Sequence, residues 1–285
     1  MSHHPAPAAD VSSSPKVTVP VIRRRKRSAG HEPLVMLTAY DTPTARIADA
    51  AGVDLILVGD SVANAVLGHD DTLQVDVSVM AHHIAAVHRA RPRALVVGDM
   101  PWLSYHVSPE DAVRNAAVLV RAGAEAVKLE GGRSRLEVVE ALVNAQIPVM
   151  GHLGLTPQSV HAMGGYKVQA RDTAAAERLR NDAKALAAAG CFALVLEGVP
   201  DVVAERVTEE VDVPTIGIGA GAACDGQVLV FHDLLGLREG TAAKFVRQYA
   251  DLHGLAVAAV SAWAADVRGE AFPAEAETYH LPPGA

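Results

Sequence analysis

The sequence predicts an α/β protein built as a closed (β/α)8, or TIM, barrel. Three observations carry this. Short, almost continuously apolar runs recur eight times. They alternate with helical patterns over about 250 residues, the usual span of such a barrel. Aromatics are only 4% of a chain that is 50% hydrophobic. The core is therefore aliphatic, as suits a parallel sheet covered on both faces by Ala-rich helices. An open doubly wound sheet is the competing architecture. The lack of G-x-G-x-x-G after the first strand counts against a dinucleotide-binding version of it.

Residues 1–28 are rich in Pro, Ala, Ser and His, then in Arg, and read as a mobile, disordered extension. A single barrel domain follows over 29–285. Its first strand is Leu34–Ala39. Asp41 then caps a helix with Pro43 just inside it. The second strand, Val53–Val58, breaks at Gly59 and delivers Asp60. A polar loop with Asn64, His69, Asp70, Asp71 and Thr72 follows. The plainer reading of Asp60 and Ser61 is that they cap the next turn. A helical pattern spans Val77–Arg89, and the third strand is Arg93–Asp99. Ser108, Pro109 and two acids open a helix that ends near Gly123. The fourth strand is Glu125–Glu130, followed by a helix over Leu136–Asn144 and a fifth strand, Ile147–Gly151. A long polar loop from His152 to Arg171 precedes a helix over Thr173–Ala189. The last strands are Phe192–Glu197, Val213–Gly217 and Gln227–Phe231. The final helix carries Phe245, Tyr249, Leu252, Leu255, Val260 and Trp263, mostly three or four apart. An extended Pro-rich tail runs from Glu270.

A net charge of −8 argues against general nucleic-acid binding. The basic run Arg23–Arg27 reads as a solvated flank. Cys191 and Cys224 have no CxxC spacing, which fits a reduced, cytoplasmic setting. No apolar stretch reaches the roughly 18 residues of a membrane span, and the N-terminus lacks the apolar core of a signal peptide.

Four strands end in an acid: Asp60, Asp99, Glu130 and Glu197. In a parallel barrel those ends share one rim, so four carboxylates converge on one mouth. Strands are depleted in acids, which makes four equivalent placements hard to ascribe to capping. Converging anions repel unless a cation or shared protons hold them. A hard divalent ion with oxygen ligands is the economical answer, and Mg²⁺ takes one or two carboxylates, waters and substrate oxygens. His152 keeps Zn²⁺ or Co²⁺ open. Lys128 shares a face with Glu130 and has two open roles, holding a substrate carboxylate or neutralising Glu130. His152 is either a donor to substrate or structural. The Gly-rich turn Gly217–Gly221 is either an anion site or a tight turn. Spacing alone thus reaches a metal-assisted barrel enzyme that stabilises an oxyanion of a small anionic substrate.

Seven motifs then occur in order: M-L-T-A-Y-D (Met36–Asp41), V-G-D-S (Val58–Ser61), G-D-M-P (Gly98–Pro101), V-K-L-E-G-G (Val127–Gly132), G-H-L-G-L-T-P-Q (Gly151–Gln158), G-G-Y-K-V-Q (Gly164–Gln169) and I-G-I-G-A-G-x-x-C-D-G-Q-V-L-V (Ile216–Val230). Together they resemble the ketopantoate hydroxymethyltransferase family from about Leu34 to Tyr279. The resemblance implies a (β/α)8 barrel in a homodecamer. It implies transfer of a hydroxymethyl group from 5,10-methylenetetrahydrofolate to 3-methyl-2-oxobutanoate, giving 2-dehydropantoate in pantothenate biosynthesis. The route is an enolate steadied by Mg²⁺. By position, Asp60 and Asp99 match direct metal ligands that also face the substrate, and Glu130 matches a ligand through water. Ser61, Lys128 and His152 match substrate-binding positions, and Glu197 the catalytic base. Two departures are the long N-terminal extension and Ala170, which stands where a Gly is common. The rival readings are a carbon–carbon lyase of the isocitrate lyase type and a non-catalytic oxo-acid-binding barrel. The first usually needs K-K-C-G-H, which this chain lacks.

Overall fold

Eight strands pair in chain order and close on themselves: β1 (Leu34–Thr38), β2 (Leu55–Val58), β3 (Leu95–Asp99), β4 (Ala126–Glu130), β5 (Val149–Gly154), β6 (Ala193–Glu197), β7 (Thr215–Ile218) and β8 (Gly226–Leu229). Every pairing is parallel. This is the (β/α)8 barrel that the alternation predicts. The computed structural model describes residues 15–238, 240 and 242–282. Strand five runs further than the sequence suggests, so His152 lies within β5 and not in the loop after it.

The helices are α1 (Val19–Arg23), α2 (Thr42–Ala50), α3 (Val62–Ala65), α4 (Val77–His88), α5 (Pro109–Ala122), α6 (Leu136–Asn144), α7 (Val160–Met163), α8 (Thr173–Ala188), α9 (Asp201–Glu210), α10 (Phe231–Leu234) and α11 (Leu252–Arg268). The capping signals hold. Asp41 accepts from the Thr44 N–H at 2.8 Å, and Ser108 accepts from the Asp111 N–H at 3.1 Å. α9 has no counterpart in the sequence reading. Its N-cap is Pro200, which offers no side-chain acceptor, so nothing local marks the start.

Alternate residues of each strand point into the barrel. Leu34 and Met36, Leu55 and Leu57, and Leu95 and Val97 belong to one buried cluster. The same alternation aims Asp99, Lys128, Glu130, His152 and Glu197 into the barrel above that apolar filling. Because the lower layers are solid with aliphatic side chains, polar groups can enter only at the carboxyl ends of the strands.

Residues 15–28 differ from the mobile extension expected. Residues 1–14 lie outside the described part, but the segment from Pro15 to Ser28 packs on the barrel. Val17 and the fully buried Ile22 join the same cluster as the strand interiors. Within the basic run, Arg23 and Arg24 are exposed, as a solvated flank would be, but the next three residues are fastened to the barrel. Lys26 pairs with the buried Asp225 at 2.9 Å, Arg25 with Asp54 at 3.4 Å, and the Arg27 guanidinium donates to the Ala222 carbonyl at 2.8 Å. Lys16 meets Glu125 at 2.6 Å and the Ala94 carbonyl at 2.7 Å, both just ahead of strands. The segment therefore floors the amino-terminal end of the barrel.

The described residues divide into two compact units, one up to Phe231 and one from His232 on. The first unit holds the barrel. The second holds α11, capped by Asp251, whose carboxylate accepts from the Gly254 N–H at 2.9 Å. None of the residues of α11 is buried. The helix starts at Leu252, so Phe245 and Tyr249 lie outside it, contrary to the periodicity read from the sequence. Among the described residues no helix is long and apolar enough to cross a membrane.

Ile22→Ala tests the floor. Removing a fully buried Ile costs about 2–5 kcal/mol where the site cannot collapse. The expected result is a lower denaturant midpoint with unchanged slope. A midpoint equal to that of the unaltered chain would show that the floor is dispensable.

Candidate active site

The rim is assembled by strand register. β3 and β4 place Asp99 beside Lys128, and β4 and β5 place Glu130 beside His152. β5 and β6 place Gly154 beside Glu197. Gly154 has φ +95, and a Cβ there would stand 2.2 Å from the Glu197 carbonyl oxygen. Only glycine allows that approach. It lets the Leu155 N–H bond the Glu197 carbonyl at 2.7 Å, which fixes where Glu197 leaves its strand. Asp60 sits two residues beyond the end of β2 and caps nothing, and Ser61, at the N-cap of α3, makes no side-chain cap bond. The capping reading of this pair is thereby corrected.

The predicted residues come together. Asp60, Asp99, Lys128, Glu130 and His152 are all buried, and Glu197 is partly exposed. Lys128 Nζ stands 2.8 Å from Asp99 Oδ1 and 3.3 Å from His152 Nδ1. The carboxylate it pairs with is therefore Asp99, whereas neutralising Glu130 is one of the two roles that the sequence leaves open. His152 bridges two acids, with Nδ1 3.4 Å from Glu130 Oε1 and Nε2 3.2 Å from Glu197 Oε2. The Asp60 N–H donates to Asp99 Oδ2 at 3.1 Å. Ser61 Oγ lies 2.8 Å from the hydroxyl of the buried Tyr40.

Two further residues escape the sequence reading. The side-chain amide of Gln158 donates to Asp60 Oδ2 at 2.8 Å and to the Met100 carbonyl at 3.0 Å. Its backbone N–H donates to Glu130 Oε2 at 3.0 Å. The Tyr105 hydroxyl donates to Gln158 Oε1 at 2.6 Å and accepts from the Glu130 N–H at 3.1 Å. Gln158 closes one of the motifs noted above, which is the only signal the sequence holds for it. Tyr105 has no such signal. The Gly-rich turn shows left-handed glycines at Gly219 and Gly221, and a Cβ on Gly221 would press on Asp201, which favours the tight-turn reading.

Electrostatics follow from burial. Burial and the neighbouring Glu130 charge raise Asp60 above the usual carboxylate range. Burial lifts Asp99 to about 7, although Lys128 pulls the other way. His152 is pushed up to about 9, because the flanking Glu130 and Glu197 carboxylates outweigh burial and the Lys128 charge. Burial presses Lys128 down, but Asp99, Glu130 and Asp60 together carry it above its ordinary value.

The donor set fits a hard cation. With all four carboxylates ionised and His152 protonated, the acids outnumber the two cations by two charges, the charge of one divalent ion; with no cation bound, Asp60 and Asp99 hold protons more readily than ordinary carboxylates. Asp99 Oδ1, Glu130 Oε1 and His152 Nε2 are buried within ion-pair range of a partner, yet none completes a well-aligned hydrogen bond. Among the described residues no group of three His, Cys, Asp or Glu side chains stands ready to hold a metal ion by itself.

Residues 16–275 match the family model described as ketopantoate hydroxymethyltransferase. The 3-methyl-2-oxobutanoate hydroxymethyltransferase of Methylobacterium sp. (strain 4-46) is 57% identical over 99% of this chain and 97% of its own. A second such enzyme, from Bradyrhizobium diazoefficiens, is 58% identical over 94% of this chain and 90% of its own. Among solved structures, a 2,3-dimethylmalate lyase, described as a PEP mutase/isocitrate lyase superfamily member, aligns with TM-score 0.57 at 20% identity. It covers 92% of this chain and 89% of that one. A phosphonopyruvate hydrolase in complex with oxalate and Mg²⁺ aligns with TM-score 0.58 at 12% identity, covering 92% of each. At such identities these two speak for the fold alone. The chain is an enzyme, a transferase, and belongs to the ketopantoate hydroxymethyltransferase family.

Proposed function

We propose that the chain transfers a hydroxymethyl group from 5,10-methylenetetrahydrofolate to 3-methyl-2-oxobutanoate, yielding 2-dehydropantoate for pantothenate synthesis, with Mg²⁺ held by Asp60 and Asp99 and, through water, by Glu130. The two-charge deficit of the buried rim carries this reading. The names of the relatives at 57–58% identity support it. The working place is the cytoplasm and the working form a homo-oligomer, on the family resemblance.

When bound, Mg²⁺ would draw electron density from the 2-oxo group of the substrate and so acidify its C3–H. The chain's own groups do the rest. The Lys128 ammonium, fixed beside Asp99, faces the substrate carboxylate. The Ser61 hydroxyl, held by Tyr40, supplies a further polar contact. His152 lends its charge to the mouth and holds Glu197 in place. Glu197 takes the C3 proton, and C3 then bonds to the one-carbon unit; both C–N bonds that tie this carbon to the folate break, water supplies the new hydroxyl oxygen, and tetrahydrofolate leaves with the protons. The partial exposure of Glu197 suits a group that must exchange protons.

Removal of a ligand is the first test. Asp60→Ala and Asp99→Ala should each abolish ketopantoate formation while unfolding stays cooperative. Near-normal turnover in both, with Mg²⁺ limiting, would overturn the metal assignment.

The base can be tested without folate. A positioned general base contributes about 10²–10⁴-fold. The unaltered chain with Mg²⁺ should exchange the C3–H of 3-methyl-2-oxobutanoate in D₂O, and Glu197→Gln should exchange it slower by that factor at equal occupancy. Equal rates by NMR would move the role to another group.

The pH dependence has a definite sign. Asp99 is raised from 3.8 to about 7, and His152 from 6.5 to about 9. Each bound proton favours the folded state. That stability is fully present below the unfolded pKa and fades as pH rises through the folded one. The metal-free protein should therefore lose stability from about pH 4 to pH 9. Mg²⁺ competes with the Asp99 proton, so its affinity should drop below pH 7, by up to about tenfold per unit for one proton. The rise in Tm caused by Mg²⁺ should be larger at pH 8.5 than at pH 6. A rise independent of pH would contradict the shifted acids.

A further inference from the structure

We propose that Gln158 is a positioning residue for the metal-binding carboxylates, holding Asp60 through its side-chain amide and Glu130 through its backbone N–H, with Tyr105 locking that amide in place. The inference rests on the Mg²⁺ reading given above and deepens it.

The argument starts from what the barrel itself fixes. Asp99 and Glu130 end adjacent strands, so sheet hydrogen bonds set their separation. Asp60 lies beyond β2, and β2 has no pairing with β4, so no strand contact sets the distance from Asp60 to Glu130. These are like charges in a dry site, and each would move away from the other if free. Gln158 spans that gap. It arrives from the loop after β5, where Pro157 opens a short 3-10 turn and fixes the approach of the next residue.

The bonding pattern leaves Gln158 one orientation. The Met100 carbonyl can only accept, and the Tyr105 hydroxyl already donates to the amide oxygen. The NH₂ group must therefore face Met100 and Asp60. Both of its protons are used, and the side chain is buried. The Tyr105 hydroxyl in turn is pinned by the Glu130 N–H. The loop is thus fastened to the same strand end that bears the second carboxylate.

The tethers also choose which oxygens remain for a metal. Gln158 occupies Oδ2 of Asp60 and Oε2 of Glu130. The third carboxylate is held in the same manner, with Oδ2 of Asp99 on the Asp60 N–H. Glu130 Oε1 is left buried without an aligned partner. Partners that orient ligands in this way typically change metal affinity by about 10–100-fold when removed. A Gln that only filled space would not be bonded to two of the three acids.

The test is calorimetric titration of Mg²⁺ into metal-free protein, with and without 3-methyl-2-oxobutanoate, alongside denaturant unfolding. Gln158→Met keeps length and removes the amide. Tyr105→Phe removes only the hydroxyl. Gln158→Met should weaken Mg²⁺ binding by about 10–100-fold. In turnover, the Mg²⁺ concentration for half-maximal rate should rise by a similar factor. Tyr105→Phe should shift both the same way by less, and the double variant should be no worse than Gln158→Met, because Tyr105 acts through Gln158. Mg²⁺ affinity within twofold of the unaltered chain in a folded Gln158→Met protein would overturn the inference, whatever happens to its unfolding midpoint. If Gln158→Met does not fold, Tyr105→Phe decides, and unchanged affinity there overturns it. An unaltered chain that takes up no Mg²⁺ would overturn the metal reading and this inference together. Binding lost in Asp60→Ala but kept in Gln158→Met would overturn the inference alone.

Discussion

The molecule is governed by a crowd of negative charge in a dry place. Four carboxylates meet at one mouth, and the side chains among them supply only an ammonium and an imidazole to balance them. Taken alone, such an arrangement disfavours the folded state, since burial penalises each charge and like charges raise one another. The rest of the barrel can be understood as what makes it tolerable. Each acid has one oxygen bonded by a nearby N–H or amide, or faces a cation. Beneath them lie the aliphatic layers, an apolar filling that offers a charged side chain no favourable place to move into. The strain is thereby kept at the rim, where the proposed cation would relieve it.

What holds the rim from below is less obvious. A barrel is open at both ends, and its lower end here is closed by residues 15–28. Ile22 fills the interior while Lys26, Arg25 and Arg27 fasten the segment to Asp225, Asp54 and the Ala222 carbonyl. Two kinds of force cooperate. The apolar side chains supply most of the free energy, and the buried Lys26–Asp225 pair fixes the register of a segment that is otherwise too short to define one.

These features differ in how plainly the sequence announces them. The strands and the four acids are legible because both depend on local period. An apolar run followed by an acid places that acid on the rim whatever the rest of the chain does. The floor was not legible, because Lys26 finds Asp225 across 199 residues, and five basic residues in a row look solvated until such partners are known. Gln158 was hidden for the same reason, since its bonds reach Tyr105 and Asp60, 53 and 98 residues away. α9 was missed for want of a cap. Ala170 stands where the family resemblance leads one to expect glycine, and the structure gives the cause. Its φ is +54, a conformation that costs an alanine about 1–2 kcal/mol and a glycine almost nothing.

The comparison of distant and near relatives separates fold from chemistry. Proteins at 12–20% identity share this barrel under the names of a lyase and a hydrolase, so the fold by itself selects no reaction. The selection must lie in how the rim acids differ from one another. Three of them, Asp60, Asp99 and Glu130, are almost wholly buried and tethered by N–H donors. Such groups are suited to hold a cation, because they cannot follow a moving proton. Glu197 is the exception. Its side chain is 16% exposed, and it meets the cluster through the His152 ring at 3.2 Å. A base has to approach a C–H bond, take its proton and give that proton up again, and this needs access and some freedom. The rim therefore divides its acids by exposure, and that division supports Glu197 in the proposed role of base before any substrate is considered.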